Sequence, residues 1–187
     1  MESKELSIVI VTFKSEGRVF KCLDSIPNEI KVKIIENSNN KDFKRIIENK
    51  YENVECILSG GNKGYAVANN IGLNLVETKY ALILNPDTTL NKNAIKNFLT
   101  TANKIKNFWL LGPANDQQVN INLNKENVVE VNNLKGFAMF FNMSKFNKNF
   151  FDENYFLYFE EIDLCNYVKK NNGKIYLDKN IVIMHEG

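Results

Sequence analysis

The chain reads as an α/β domain with a mostly parallel central sheet flanked by helices, and three observations predict it. Strand-length apolar runs alternate with amphipathic segments, the connections between them are short, and several runs end abruptly in Gly, Pro, Asn or Asp. At 187 residues there is room for one substantial core and not for two ordinary domains. The change of style near residue 114 therefore marks two halves of a single domain, 1–113 and 114–187, rather than a linker.

Residues 6–13 (LSIVIVTF) are β-branched and almost wholly apolar, as a strand covered on both faces should be. Lys14-Ser15-Glu16 opens an amphipathic segment whose Val19, Leu23 and Ile26 share a face. A second strand over 32–36 ends in the turn Asn37-Ser38-Asn39-Asn40, and a short helix over about 42–49 leads to a third strand, Val54–Leu58. The glycine-rich turn 59–65 (SGGNKGY) feeds a helical pattern through Ala68, Ile71 and Leu75. The fourth strand, Tyr80–Leu84, stops at Asn85-Pro86-Asp87.

A helix over about 91–106 and a strand over 109–113 follow. The polar stretch 114–127 reads as a loop or hairpin, and strands follow at 128–131 and 136–141. Residues 150–159 are crowded with aromatics, and Glu160-Glu161-Ile162-Asp163 enters a helix ending near Asn171-Asn172-Gly173. Short strands at 174–178 and 181–184 precede His185-Glu186-Gly187.

Composition excludes several classes. The 24 basic and 22 acidic residues nearly cancel and form no block, which argues against bulk nucleic-acid binding. Cys22, Cys56 and Cys165 are far apart and sit in apolar segments, so buried free thiols are expected rather than a disulfide framework, in keeping with a reducing, cytoplasmic compartment. The amino terminus shows no signal-peptide pattern, and no apolar run approaches the roughly 18 residues of a membrane span. Peripheral contact at the inner face of a membrane stays open.

In a parallel sheet successive strands end on one edge, where ligands bind, so Thr12, Glu36 and Asp87 should meet around one cleft. Pro86 fixes the backbone before Asp87, whose carboxylate suits Mg2+ or Mn2+ completed by waters and phosphate oxygens. Each residue also has an ordinary explanation: strand filler for Thr12, a solvated turn for Glu36, a helix cap for Asp87. The glycine turn could cradle phosphate at a helix start or serve only as a tight turn. At about 100° per residue, Glu161 falls among Leu157, Leu164, Cys165 and Val168, and Glu160 and Asp163 fall on the polar side with Lys170. That places Glu161 in the low-dielectric setting that suits a general base, with a capping or salt-bridged pair as the alternative.

Six stretches together resemble one family: 8–13, 35–38, 62–72 (NKGYAVANNIG), 84–87 (LNPD), 151–153 and 158–164 (YFEEIDL). They are similar to family 2 glycosyltransferases of the GT-A fold, a single Rossmann-like domain, and specifically to the rhamnosyltransferase-like branch that builds bacterial surface polysaccharides. The resemblance implies that 1–113 binds a nucleotide-sugar and that 114–187 faces the acceptor. It implies that Thr12 and Glu36 contact the base and ribose, and that Asn62, Gly64, Asn69 and Asn70 line the nucleotide and diphosphate. Asp87 would stand for the last Asp of a D-x-D metal motif, with Asn85 in place of the first. His185 would lie near the donor diphosphate. Glu161 would be the base acting on the acceptor hydroxyl, with Glu160, Asp163 and Tyr158 on the acceptor side. Glu36 and Glu161 stand where the family usually has Asp, and relatives normally continue past His185, so a carboxy-terminal extension is expected to be missing.

The activity this implies is metal-dependent, inverting transfer from a UDP- or dTDP-sugar to a hydroxyl of a glycan or lipid-linked acceptor. A catalytically silent nucleotide-sugar-binding module is one rival. A sugar nucleotidyltransferase is another, and it would need a basic phosphate-activating loop for which Lys14-Ser15-Glu16-Gly17-Arg18 is a poor candidate.

Overall fold

The computed structural model describes residues 2–114, 126–148 and 150–186. The expected loop at 114–127 thus lies almost wholly outside the described residues. Ten strands and five α-helices follow one another as β1 (Leu6–Thr12), α1 (Glu16–Asp24), β2 (Lys31–Glu36), α2 (Lys41–Lys50), β3 (Val54–Leu58), α3 (Gly64–Asn74), β4 (Tyr80–Leu84), β5 (Thr88–Leu90), α4 (Ala94–Lys104), β6 (Phe108–Pro113), β7 (Val128–Glu130), β8 (Ala138–Asn142), α5 (Glu160–Lys170), β9 (Lys174–Asp178) and β10 (Ile183–His185).

Eight strands form one sheet in the order β3-β2-β1-β4-β8-β6-β9-β7, and β5 pairs with β10 in a separate two-stranded sheet. The first half is wholly parallel, but β8 runs antiparallel to both β4 and β6, and β7 antiparallel to β9. The parallel character is therefore concentrated on the side that carries Thr12, Glu36 and Asp87.

Side chains alternate along each strand, so Ile8 and Ile10 face one core with α1, α2 and α4, and Val9 faces the other with α3 and α5. The helix α3 approaches β1 unusually closely: a Cβ on Gly72 would fall 2.3 Å from Val9 Cγ1. Its buried face accordingly includes the small residues Ala66, Ala68 and Gly72 beside Leu73, while Leu75, expected on that face, lies beyond the helix and is exposed. All three cysteines are buried free thiols, and burial pushes Cys22, Cys56 and Cys165 up to about 11, about 12 and about 11.

Candidate active site

The parallel strands deliver their carboxyl ends to one edge, as the alternating pattern implies. Thr12 stands opposite Glu36 across β1 and β2, and Asn85-Pro86-Asp87 follows β4 beside them. Between these ends lies a cavity of about 250 Å3, lined by Val11, Phe13, Asn37, Asn62, Asp87 and Phe156 among others. A larger depression of about 600 Å3, bounded by Asn97, Thr101 and Asp178, takes in none of the expected site residues.

Glu36 is buried, and its carboxylate is engaged by the turn that follows. Oε1 accepts from the Ser38 amide at 3.0 Å and from the Ser38 hydroxyl, and Oε2 accepts from the Asn40 amide. It therefore shapes the 37–40 turn and is not the solvated residue that pattern alone allows. Thr12 is also buried, and its hydroxyl has no hydrogen-bond partner among the described residues.

Asn37, which the residue-by-residue reading passes over, ties two loops together. Its Oδ1 accepts from the Lys63 amide at 3.0 Å and the Ser59 hydroxyl at 2.9 Å, and its Nδ2 donates to Asn62 Oδ1 and the Gly64 carbonyl. It lies inside the matched stretch 35–38, but only its position opposite the glycine turn discloses its work.

Two amides at the helix start are bonded within the protein. The Gly64 amide donates to Asn62 Oδ1 at 3.1 Å, and the Tyr65 amide to the Phe156 carbonyl at 2.8 Å. Gly64 has φ +80°, and a Cβ there would stand 2.4 Å from that carbonyl oxygen. Here the glycine admits the backbone of the 150s loop, which favours the tight-turn reading over a bare phosphate cradle.

Asn69 and Asn70 lie further along α3 and outside the cavity. Asn69 is fully buried and donates to the Tyr65 carbonyl, while its Oδ1 has no partner among the described residues. Asn70 donates to the Phe151 carbonyl and to Glu153, and accepts from the Phe151 amide at 3.0 Å. In this structure Asn70 is a strut that pins the 151–153 segment, in place of the expected contact with nucleotide.

Asp87 lies at the cavity with its side chain 15% exposed. Arg18 Nη1 lies 3.4 Å from Oδ2 and His185 Nε2 lies 3.3 Å from Oδ1, yet among the described residues the buried Oδ1 has no aligned hydrogen bond. His185 is held by its pairing opposite Thr88 and by stacking on Phe137, with ring centroids 4.8 Å apart. The short strand β5, absent from the sequence reading, brings about this convergence by carrying the chain from Asp87 against β10. Among the described residues no group of three or more His, Cys, Asp or Glu could hold a metal by itself. The orphaned Oδ1 with the imidazole beside it nevertheless fits a divalent cation that takes its other ligands from water and phosphate.

The acidic pair departs from the helical-wheel expectation. Glu160 is the buried member, with Oε2 unpartnered among the described residues, and Glu161 is only partly covered. Burial, and after it the charge of Glu161, hold the Glu160 carboxyl above the usual carboxylate range. The reason is the entry to α5: Tyr158 and Phe159 have φ of 70° and 72°, so Leu157 is not on the helix and cannot define its buried face. Glu161 passes Gly136, whose carbonyl accepts from the Tyr65 hydroxyl at 2.6 Å. Burial and then Glu160 and Glu161 raise the Tyr65 phenol. Tyr65 thus links the cavity it lines to the acidic pair. Asp163 lines a second depression of about 370 Å3 with Asn70, Asp152, Glu153 and Tyr167, and Tyr158 is 70% exposed.

The sequence profile described as "Glycosyl transferase family 2" matches residues 7–165. The "Low-salt glycan biosynthesis hexosyltransferase Agl10" of Haloferax volcanii is 26% identical over 198 residues, covering 91% of this chain and 64% of its own. The structure of S. aureus TarS 1–349 superposes with a TM-score of 0.75 at 20% identity, over 94% of this chain and 58% of that one. The mannosyltransferase PcManGT from Pyrobaculum calidifontis, in complex with GDP-Man and Mn2+, gives 0.79 at 10% identity, over 96% and 56%. At those identities the two structures establish a shared fold, and this chain spans less than two thirds of each of the three proteins.

Proposed function

This chain belongs to glycosyl transferase family 2 and has the GT-A fold, and we propose that it transfers a sugar, with inversion, from a nucleoside diphosphate sugar to a hydroxyl of a glycan or lipid-linked acceptor. The observation that carries the reading is Asp87 Oδ1, buried without a hydrogen bond at the cavity on the sheet's ligand-binding edge, with His185 beside it. A divalent cation held by Asp87, with His185 near it, would supply positive charge to stabilise the leaving diphosphate. Phe13, 43% exposed at the cavity wall, offers a face for the nucleobase.

Glu161 is the base in this scheme because it is accessible and Glu160 is not. The acceptor's proton passes to Glu161 as its oxygen bonds to the anomeric carbon and the bond to the diphosphate breaks. UDP, UDP-GlcNAc and GDP-Man occupy structural neighbours, which supports a nucleoside diphosphate sugar donor. The relative named a hexosyltransferase supports a hexosyl donor, and the rhamnosyltransferase-like motifs support a deoxyhexosyl one carried on UDP or dTDP. Work in surface polysaccharide synthesis at the cytoplasmic face of a membrane accords with the motifs; among the described residues no helix is long and apolar enough to cross one.

Thermal melts with UDP, dTDP and GDP, with and without Mn2+, test the donor site. A ligand at 100 times its Kd adds about 2.7 kcal/mol, or roughly 5 to 11 °C for a domain of this size. Glu161→Gln should keep that shift and lose about 10²- to 10⁴-fold in turnover. No shift with any nucleotide would end the reading, and binding without transfer across donors and acceptors would favour a silent binding module.

A further inference from the structure

Asp87 is approached from both sides by nitrogen-bearing side chains, Arg18 and His185, and the two approaches differ in kind. His185 is fixed by Phe137 and by strand pairing. Arg18 comes from the first turns of α1, is 61% exposed, and reaches Oδ2 with one nitrogen at 3.4 Å. That is well beyond the roughly 2.7–2.9 Å of a strong charge-assisted bond, and a guanidinium has five N–H donors. One turn along the same face, Lys21 pairs with Glu186, whose amide donates to the Asp87 carbonyl at 3.1 Å. The rim beside Asp87 thus carries Arg18, Lys21 and His185 against Asp87 and Glu186.

A single contact of this length from an exposed guanidinium holds weakly, so Arg18 exchanges partners readily. A divalent cation at Asp87 would compete with Arg18 for the same carboxylate, and a diphosphate brings oxygens that match a guanidinium's fork. We infer that Arg18 is a donor-binding residue: the guanidinium that lies against Asp87 turns to the diphosphate of a nucleoside diphosphate when cation and donor bind. The inference rests on the donor-site reading above. It assigns to α1 a role that Lys14-Ser15-Glu16-Gly17-Arg18 does not suggest as a phosphate loop, because only the fold brings residue 18 to residue 87.

The partner exchange has a signature that structural support lacks: removing Arg18 should weaken nucleotide binding without weakening Mn2+ binding. Calorimetric titrations of UDP, dTDP and GDP into wild type, Arg18→Gln and Arg18→Lys, in Mn2+ and in chelator, would be set beside titration of Mn2+ alone. For whichever nucleotide binds wild type most tightly, Arg18→Gln should lose about tenfold in affinity in Mn2+, the low end for a charged hydrogen bond, and Arg18→Lys should regain part of it. Mn2+ alone should bind Arg18→Gln as tightly as wild type or more tightly, since its competitor is gone. Nucleotide affinity within twofold of wild type in Arg18→Gln would overturn the inference. So would parallel loss of nucleotide, Mn2+ and thermal stability, which would make Arg18 a structural support. If wild type binds none of the three nucleotides in either condition, the donor-site reading itself falls, which is a distinct result.

Discussion

Replacing Gly64 by alanine tests how the glycine turn is held. Its φ of +80° is costly for a side chain, about 1–2 kcal/mol. The added Cβ would also stand 2.4 Å from the Phe156 carbonyl oxygen and 3.1 Å from its carbon. Backbone cannot yield as the end of a side chain can, so the 150s loop must lift. The Tyr65 amide then loses its 2.8 Å bond to Phe156, worth about 1 kcal/mol net. Together these give about 2–3 kcal/mol, or a melting temperature lower by roughly 4–12 °C. Gly60→Ala is the control, because it shares the positive φ of +81° but meets nothing within 4 Å. Circular-dichroism melts of both variants separate conformational strain from close approach. If Gly64→Ala falls no further than Gly60→Ala, the docking of the 150s loop on the turn is not a source of stability and the argument fails.

Two further predictions concern buried polar groups. Because the folded protein holds the Glu160 proton more tightly than the unfolded chain does, that contribution is complete below the ordinary glutamate value and is lost as pH rises through the raised one. Glu160→Gln removes the loss, so the variant should gain melting temperature relative to wild type between pH 4.5 and 8; a difference that does not change with pH would contradict the assignment of burial. Asn70→Ala leaves the Phe151 amide and carbonyl without the partners they have now and should cost about 2–4 kcal/mol in a denaturant melt. Lost nucleotide affinity at unchanged stability would instead return Asn70 to the donor, as the sequence resemblance implies.

What could be read before the structure was what local physics controls. The runs of β1 and β4 are almost wholly apolar, and they sit, with the more mixed β3 and β9, where pattern put them. Asp87 was legible because Pro86 and the end of a buried strand leave its direction little freedom. The strand β5 is three residues long, too short to show a period, and β10 falls at Ile183–His185 where the pattern suggests 181–184; together they bring His185 to Asp87. The ranking of Glu160 and Glu161 turned on whether the helix reached back to Leu157, and two consecutive left-handed aromatics have no sequence signature. Asn70 depends on partners 81 residues away, which motif matching names without explaining.

The place of β8 bears on how the molecule forms. It is the only strand that pairs with both β4 and β6 in the described sheet, and it lies more than fifty residues after β4 in the chain. During synthesis the parallel strands and Asp87 are complete while the flank of β4 still lacks its neighbour. That flank is Tyr80–Leu84, buried at every position in the finished fold. A fragment stopping before Gly136 would leave it as an open apolar edge, the kind that recruits further chains. The four parallel strands β1 to β4 are therefore a poor candidate for expression alone: they need the later chain as a seal against aggregation before they need it for chemistry.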